Sequence, residues 1–554
     1  FCSQSFLYSS ACAGKGQETQ EYGLMGGSRY VIILLAVCLF LFLFALGNMA
    51  LTEPDETFYA QTAKEMLTSG SWGTPMIFGK PQFEKPILYY LFVRLSYMAF
   101  GINEFAARFP SAVFGILGVL GIFFLGRVLF SELCAFLSGL VMAVSAEYLI
   151  LSRACVTDIA LAVFILYGFL FFILGWTGRR KVWYLASSAA IALAVLTKGP
   201  IGAFIPLVVI ALYLTVSRQW TGVKNVPVGS SIIIFLVIAL PWYAAMVQMY
   251  GNALISEFFG VHNITRFLEP EHRIGTSPFF YIPIVLGGIF PWTFFSLFGA
   301  WYMYKHDSFT SGFKAHKLFL SLWFLVVFLF FSVSRTKLVT YIFPLFPVLA
   351  IVTGRFWEVF ITGKGESRTL KKFMNVSYFL LAAFSVLAVA GFYFLTRYRY
   401  PYAVTGTLVS GAVFVFGVLV SLAFFMRDKR AYAFYSVIAT VMVFLVFLNG
   451  AVLPAIEKVE SSKTLSLKFK ELADPGEPLG GEDDHRRGIA FYTDRTDVVD
   501  IHPYPDLVDF VSRDERVWCI IQRKHYNQLK EHKPDLVSEP LLQSGKKVLF
   551  TNKP

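Results

Sequence analysis

From residue 30 to residue 453 the chain alternates long apolar stretches with short polar ones, and beyond that point the alternation stops. Fourteen apolar stretches stand out: 30–50, 86–100, 109–130, 132–151, 158–176, 182–197, 199–217, 230–249, 279–304, 317–334, 338–354, 374–396, 402–426 and 432–453. Apolar runs of about twenty residues can cross a hydrocarbon core of ~30 Å as helices. The stretch 86–100 differs from the rest. It is short, carries Arg94 and three tyrosines, and lies between Pro86 and Gly101, the pattern of an amphipathic helix in the membrane interface. Thirteen spans remain. Past Pro454 the charged fraction rises. Short apolar runs at Ile489-Ala-Phe-Tyr492 and Val517-Trp-Cys-Ile-Ile521 then alternate with helical patterns around 507–511 and 525–530. The pattern predicts a polytopic α-helical membrane domain over 30–453, with a first outer loop at 51–108. A soluble α/β domain follows over 454–554, in which Pro475 to Arg487 is a flexible loop.

The basic residues orient these spans. With the N-terminus inside, the loops holding Arg127, Arg179 to Lys181, Arg218 with Lys224, Lys305 with Lys314 and Lys317, Arg355 through Lys372, and Arg427 to Arg430 all fall on the inner side. The same parity puts 51–108, 152–157, Lys198, 250–278, 335–337, 397–401 and the soluble domain outside. Lys85, Arg153, Lys198, Arg266, Arg335 and Lys337 then sit at the outer edge against the orientation bias, and such cations are candidate anion ligands.

Composition narrows the reading. With 56% hydrophobic and 15% charged residues, the chain cannot be an ordinary soluble enzyme. Its net charge of +12 comes with the inner loops and suits phosphate-bearing lipids rather than nucleic acid. The six cysteines show no paired or metal-ligand spacing, so no disulfide framework is expected. The absence of a phosphate-binding loop, a dinucleotide fingerprint or an internal repeat argues against a nucleotide cofactor and an ATP-driven transporter. Met25-Gly-Gly-Ser-Arg29 reads as a natural start, which makes 1–29 a disordered N-terminal extension.

Five polar clusters fall on the outer side. Glu53-Pro54-Asp55-Glu56 opens a helical stretch from Thr57 to Thr68, with Tyr59 one turn from Asp55 on the same face. Asp55 is either a helix cap or a general base and substrate anchor, and Glu56 reads as a helix-start residue. Glu84-Lys85 precedes the interfacial helix. Arg153 and Asp158 flank a short outer loop. His262 and Arg266 share a helix face, and Lys337 lies four residues before Tyr341. Glu84 and His262 offer O and N ligands for a divalent metal such as Zn, Mg or Mn. Carboxylates that activate an acceptor, together with cations that hold a leaving phosphate, describe group transfer from a lipid phosphate. A secondary transporter is the rival of another class, but transporters place their ionisable groups near the bilayer midplane and often show repeats.

The motifs Pro54-Asp55-Glu56-Thr57, Tyr59-Ala60, Glu65-Met66-Leu67 with Gly70-x-Trp72, Phe83-Glu84-Lys85-Pro86, Thr197-Lys198-Gly199, His262-x-Ile264-x-Arg266-Phe267 and Lys337-Leu338-x-Thr340-Tyr341-Ile342 occur in this order. In them the chain resembles the bacterial 4-amino-4-deoxy-L-arabinose transferases of lipid A, which belong to the GT-C class with the protein O-mannosyltransferases as relatives. The resemblance implies thirteen spans, an outer soluble domain, and inverting transfer of a sugar from a polyprenyl (undecaprenyl) phosphate carrier at the periplasmic face of the inner membrane. It implies Asp55 and Asp158 as catalytic, and Lys85 as a donor-phosphate ligand alongside Tyr59, Arg266, Lys337 and Tyr341. It also implies Glu84 and His262 at a divalent metal, and lipid A or another periplasmic-face molecule as acceptor. Phe58 and Gln82 depart from the family's usual Arg and Tyr beside the donor phosphate, which leaves transfer of another sugar to a protein, lipid or glycan as the alternative.

Overall fold

The structure, a computed structural model, describes residues 27–258, 260, 277–306, 313–363, 367–502 and 504–553. The expected extension 1–29 lies largely outside them, as do His262 and Arg266. Every one of the thirteen predicted spans holds helix. Among the described residues eight helices are long and apolar enough to cross a membrane singly, including α4 (Glu104–Leu129), α7 (Thr157–Gly178) and α10 (Val228–Tyr250). A ninth is the pair Tyr281–Gly288 and Thr293–Lys305, bent by 102°. Shorter helices occupy the remaining stretches: α1 (Ser28–Leu43), α5 (Glu132–Val144) with α6 (Ala146–Leu151), α8 (Lys181–Lys198) and α9 (Ile201–Val216). The chain is a multi-span membrane protein.

Small residues let these helices close up. A β-carbon added at Gly118 of α4 would stand 2.1 Å from the Tyr148 hydroxyl, and one at Gly115 would stand 2.6 Å from Ser152 Oγ. Two helix starts are capped by side chains: Asn103 Oδ1 accepts from Ala106 N, and Ser131 Oγ accepts from Cys134 N.

The segment 51–108 holds two helices, α2 (Asp55–Thr68) and α3 (Leu88–Phe100), joined through a short β1–β2 hairpin at 76–81. At 13 residues, α3 is about 20 Å long, too short to span the hydrocarbon. Its face of Tyr89, Tyr90, Val93 and Tyr97 is buried against the core while Leu95 and Met98 are exposed, as expected of the interfacial helix.

The C-terminal domain is an α/β unit. Its sheet has the order β4-β3-β5-β7-β6, with β3 (Leu479–Gly481) parallel to β4 (Val499–Asp500) and to β5 (Trp518–Gln522). Strand β7 (Lys547–Thr551) runs antiparallel to β5 and to β6 (Leu542–Ser544). Two expectations fail here. The stretch 475–487 is not a loop throughout, since it contains β3 and the start of a helix, and 489–492 is not a strand but part of that helix, Asp483–Thr493. The cause is visible in its packing. Ile489 and Ala490 enter the domain's own core with Leu479, Trp518 and Leu549, while Phe491 and Tyr492 enter the core of the membrane domain. A helix buried on two sides loses the one-sided apolar stripe that identifies helices in a sequence.

Candidate active site

The site is built on α2, and its foundation is Glu56. Arg108 Nε and Nη2 donate to the two oxygens of this buried carboxylate at 2.8 and 2.7 Å, and the backbone amides of Thr52 and Cys155 donate to it at 2.8 and 2.7 Å. Arg108 spends its remaining donors on the carbonyls of Leu46, Met49 and Ala50. Glu56 is therefore more than a helix-start residue, because it ties α2 to α4 and to the loop before α7. Burial opposes its ionisation, but Arg108 outweighs burial and holds the carboxyl below its ordinary range.

The loop after α2 is fixed from Glu65, whose oxygens accept from Phe78 N and Gly79 N, both at 2.9 Å. Gln82 donates to Tyr90 Oη at 2.8 Å and accepts from Glu84 N at 2.9 Å, so the departure at 82 orders the backbone that carries Glu84 and Lys85. Lys85 Nζ donates to Glu84 O at 3.2 Å.

Against this frame stand the chemical groups. The helix begins at Asp55 without a side-chain cap from the preceding residue. Asp55 is open to solvent by area, yet protein crowds its carboxyl. Burial first and the charge of Asp158 second raise it above the ordinary carboxylate range, against the pull of Arg487 and Lys198. Tyr59 is buried, its hydroxyl 3.3 Å from Thr157 Oγ1, and burial together with Asp158, Asp55 and Glu84 keeps the phenol protonated. Asp158 pairs with Lys198, Nζ to Oδ1 2.5 Å, and not with Arg153, which donates to Leu41 O and Asn449 Oδ1. Lys198 Nζ in turn lies 4.8 Å from the centre of the Tyr341 ring. Asp55, Tyr59, Asp158 and Tyr341 thus share one electrostatic neighbourhood with Glu84. Lys337 does not join its carboxylates, because its buried ammonium donates to Ser334 O in its own turn and burial lowers its pKa.

Two site residues escaped the sequence assignment. Lys198 was legible as an outer cation inside the Thr197-Lys198-Gly199 motif, although its partner was not. Arg487 carries no sequence signal. It enters from the soluble domain, with its guanidinium 5.0 Å from the centre of the Phe58 ring and Nη2 4.0 Å from Glu84 Oε1.

Of the two residues expected at a metal, only Glu84 falls within the described residues. Glu84 is in place beside Arg487 and His262 lies outside the described residues. Among the described residues no cluster of three or more His, Cys, Asp and Glu could hold a metal ion. The described donor set does not assemble a divalent site.

Known proteins agree with this architecture. The model of the dolichyl-phosphate-mannose-protein mannosyltransferase family matches residues 27–254, the part that contains Asp55, Tyr59, Glu84, Lys85, Asp158 and Lys198. The crystal structure of ArnT from Cupriavidus metallidurans bound to undecaprenyl phosphate shares the fold, with a TM-score of 0.79 at 23% identity over 95% of this chain and 98% of that one. The archaeal oligosaccharyltransferase AglB from Archaeoglobus fulgidus shares it at a TM-score of 0.53 and 13% identity, over 90% of this chain and 70% of that one. In sequence, the undecaprenyl phosphate-alpha-4-amino-4-deoxy-L-arabinose arabinosyl transferase 2 of Proteus mirabilis is 30% identical over 338 residues, or 59% of this chain. That match spans 60% of the transferase's own length. The fold is the one these solved glycosyltransferases share. Within the class, the chain is similar to the aminoarabinose transferases.

Proposed function

We propose that this protein transfers a sugar, with inversion, from a polyprenyl (undecaprenyl) phosphate carrier to an acceptor at the periplasmic face of the bacterial inner membrane. The sugar is 4-amino-4-deoxy-L-arabinose and the acceptor a lipid A phosphate. The observation that carries this reading is the convergence of Asp55, Asp158, Lys198, Tyr59, Tyr341 and Glu84, the residue before Lys85, at one loop face of the membrane domain. A midplane arrangement would favour a transporter. The positive-inside pattern supports the orientation of the site and of the soluble domain towards the periplasm.

In the reaction the acceptor oxygen attacks the anomeric carbon, the bond from that carbon to the carrier phosphate oxygen breaks, and the phosphate leaves with the electron pair. Lys85 offsets the charge that grows on the leaving phosphate. Tyr59, protonated and buried, offers a neutral hydroxyl beside the carboxylates. Asp158 fixes Lys198 in place. With a phosphate acceptor, already an oxyanion, Asp55 orients the nucleophile. With a hydroxyl acceptor it would take the proton, a role that a raised carboxyl suits.

Mass spectrometry of lipid A from cells lacking the gene, with and without the wild-type copy restored, tests the reading. Restoration should add an aminopentose mass to a lipid A phosphate. Unchanged lipid A with the folded protein present would overturn this acceptor. Phe58, which carries Arg487 on its ring, and Gln82 favour a second reading in which another carrier-linked sugar goes to a protein, lipid or glycan.

A further inference from the structure

The helix Asp483–Thr493 places two consecutive arginines differently. Arg486 is committed to holding the domain together, since its Nε donates to Val498 O at 2.7 Å and its guanidinium stacks 3.7 Å from the centre of the Phe78 ring. Arg487 leans towards the membrane site. One face of its guanidinium rests on Phe58, and its nearest carboxylate contact, to Glu84, is 4.0 Å long, beyond hydrogen-bond distance. Of the five N–H donors that a guanidinium carries, none is engaged in a hydrogen bond among the described residues. Arg108, in the first turns of α4, by contrast uses its donors on Glu56 and three carbonyls. Arg487 is also held still. Its helix is pinned on one side by His485 Nδ1, 2.7 Å from Glu53 Oε2, and on the other by Lys64 Nζ, 2.5 Å from Phe491 O and 2.6 Å from Asp494 Oδ1.

A half-exposed guanidinium that is stacked on one face, fixed in position and left with open donors suits a planar oxyanion with two parallel bonds. Such preorganisation lowers the ordering cost of binding. We propose that Arg487, supplied by the soluble domain, is a substrate-binding residue of the membrane site that receives a substrate phosphate. The inference rests on the polyprenyl-phosphate reading above and deepens it, because it makes the soluble domain part of the binding site. Phosphate could come from the carrier or from a lipid A acceptor, and both are probed.

The test measures binding of undecaprenyl phosphate and, separately, of lipid A to the full-length protein in nanodiscs. The variants are Arg487→Gln, Arg487→Lys and Lys530→Gln, the last removing an exposed cation of the soluble domain that pairs with Glu539. Arg487→Gln should raise the Kd for undecaprenyl phosphate about tenfold or more. Arg487→Lys should lose less, having charge without the fork, and Lys530→Gln should bind like wild type. A loss for lipid A alone would keep the phosphate role and assign it to the acceptor. Wild-type Kd values for both ligands in Arg487→Gln would overturn the inference. A lack of undecaprenyl phosphate binding by the wild type would instead overturn the underlying functional reading. Unfolding is separated from lost binding by the melting temperature, and Arg487→Lys keeps the question answerable if Arg487→Gln melts early.

Discussion

Two charged groups of residues share the loop face of the membrane domain, and they are built on opposite plans. Around Glu56 and Arg108 the carboxylate has four donors, the guanidinium bonds to that carboxylate and to three carbonyls, and both side chains are at most 7% exposed. Around Asp55, Asp158 and Arg487, like charges face one another, an aspartate is open to solvent, and a guanidinium ends 4.0 Å short of its carboxylate. The first group is complete without a ligand. In the second only Asp158 has a close partner, Lys198, and Arg487 makes no hydrogen bond among the described residues. Hydrogen-bond saturation, more than charge or burial, therefore separates the group that holds the loop from the group proposed to act on substrate.

The strongest way to break the contrast is to unpair the saturated site. Arg108→Met should leave Glu56 as a buried uncompensated charge and cost about 3–5 kcal/mol, read as a large drop in melting temperature and in yield of folded protein. Asp55→Asn should instead leave the melting temperature within a few degrees while lowering transfer by about 10²–10⁴-fold, and normal turnover would remove the catalytic assignment. Lys85→Ala should weaken donor binding by about tenfold with the fold intact, and an unchanged KM for the donor would remove the phosphate role.

The pH dependence sharpens the same contrast with a smaller effect. Burial opposes ionisation of Glu53, but His485, Lys547 and Ser462 outweigh it and hold its carboxyl below the ordinary range. A carboxyl depressed in the folded state stabilises above its unfolded pKa, about 4.3, and loses that stability as pH falls through the folded value. Docking of the soluble domain, followed by limited proteolysis, should hold near neutrality and weaken below about pH 4. Asp55 is raised, so the acid limb of transfer should appear above the ordinary carboxylate range while docking is still intact.

Much of this was legible in the sequence. Apolar runs of membrane length announce themselves, and the brevity and tyrosines of 86–100 marked α3 as interfacial. Asp55, Tyr59, Glu84, Lys85, Asp158 and Tyr341 were legible as polar groups gathered at one edge of the membrane. Partnerships were not. Arg153 is nearer to Asp158 in sequence, yet Lys198 takes it because α7 and α8 form a hairpin whose ends meet. Arg487 and the helix that carries it were hidden because that helix packs on two cores at once, which erased its period and made Ile489 to Tyr492 look like a strand.

That double packing bears on the order in which the protein comes into being. Tyr492 accepts a hydrogen bond from Leu51 N, and Lys64 donates to Phe491 O and Asp494, so α2 is covered by residues more than four hundred positions further along the chain. A chain made only as far as the last span would hold every membrane helix and still lack the helix that carries Arg487 and covers α2. Insertion into the bilayer and closure of this loop face are thus separate events, the second waiting on the soluble domain.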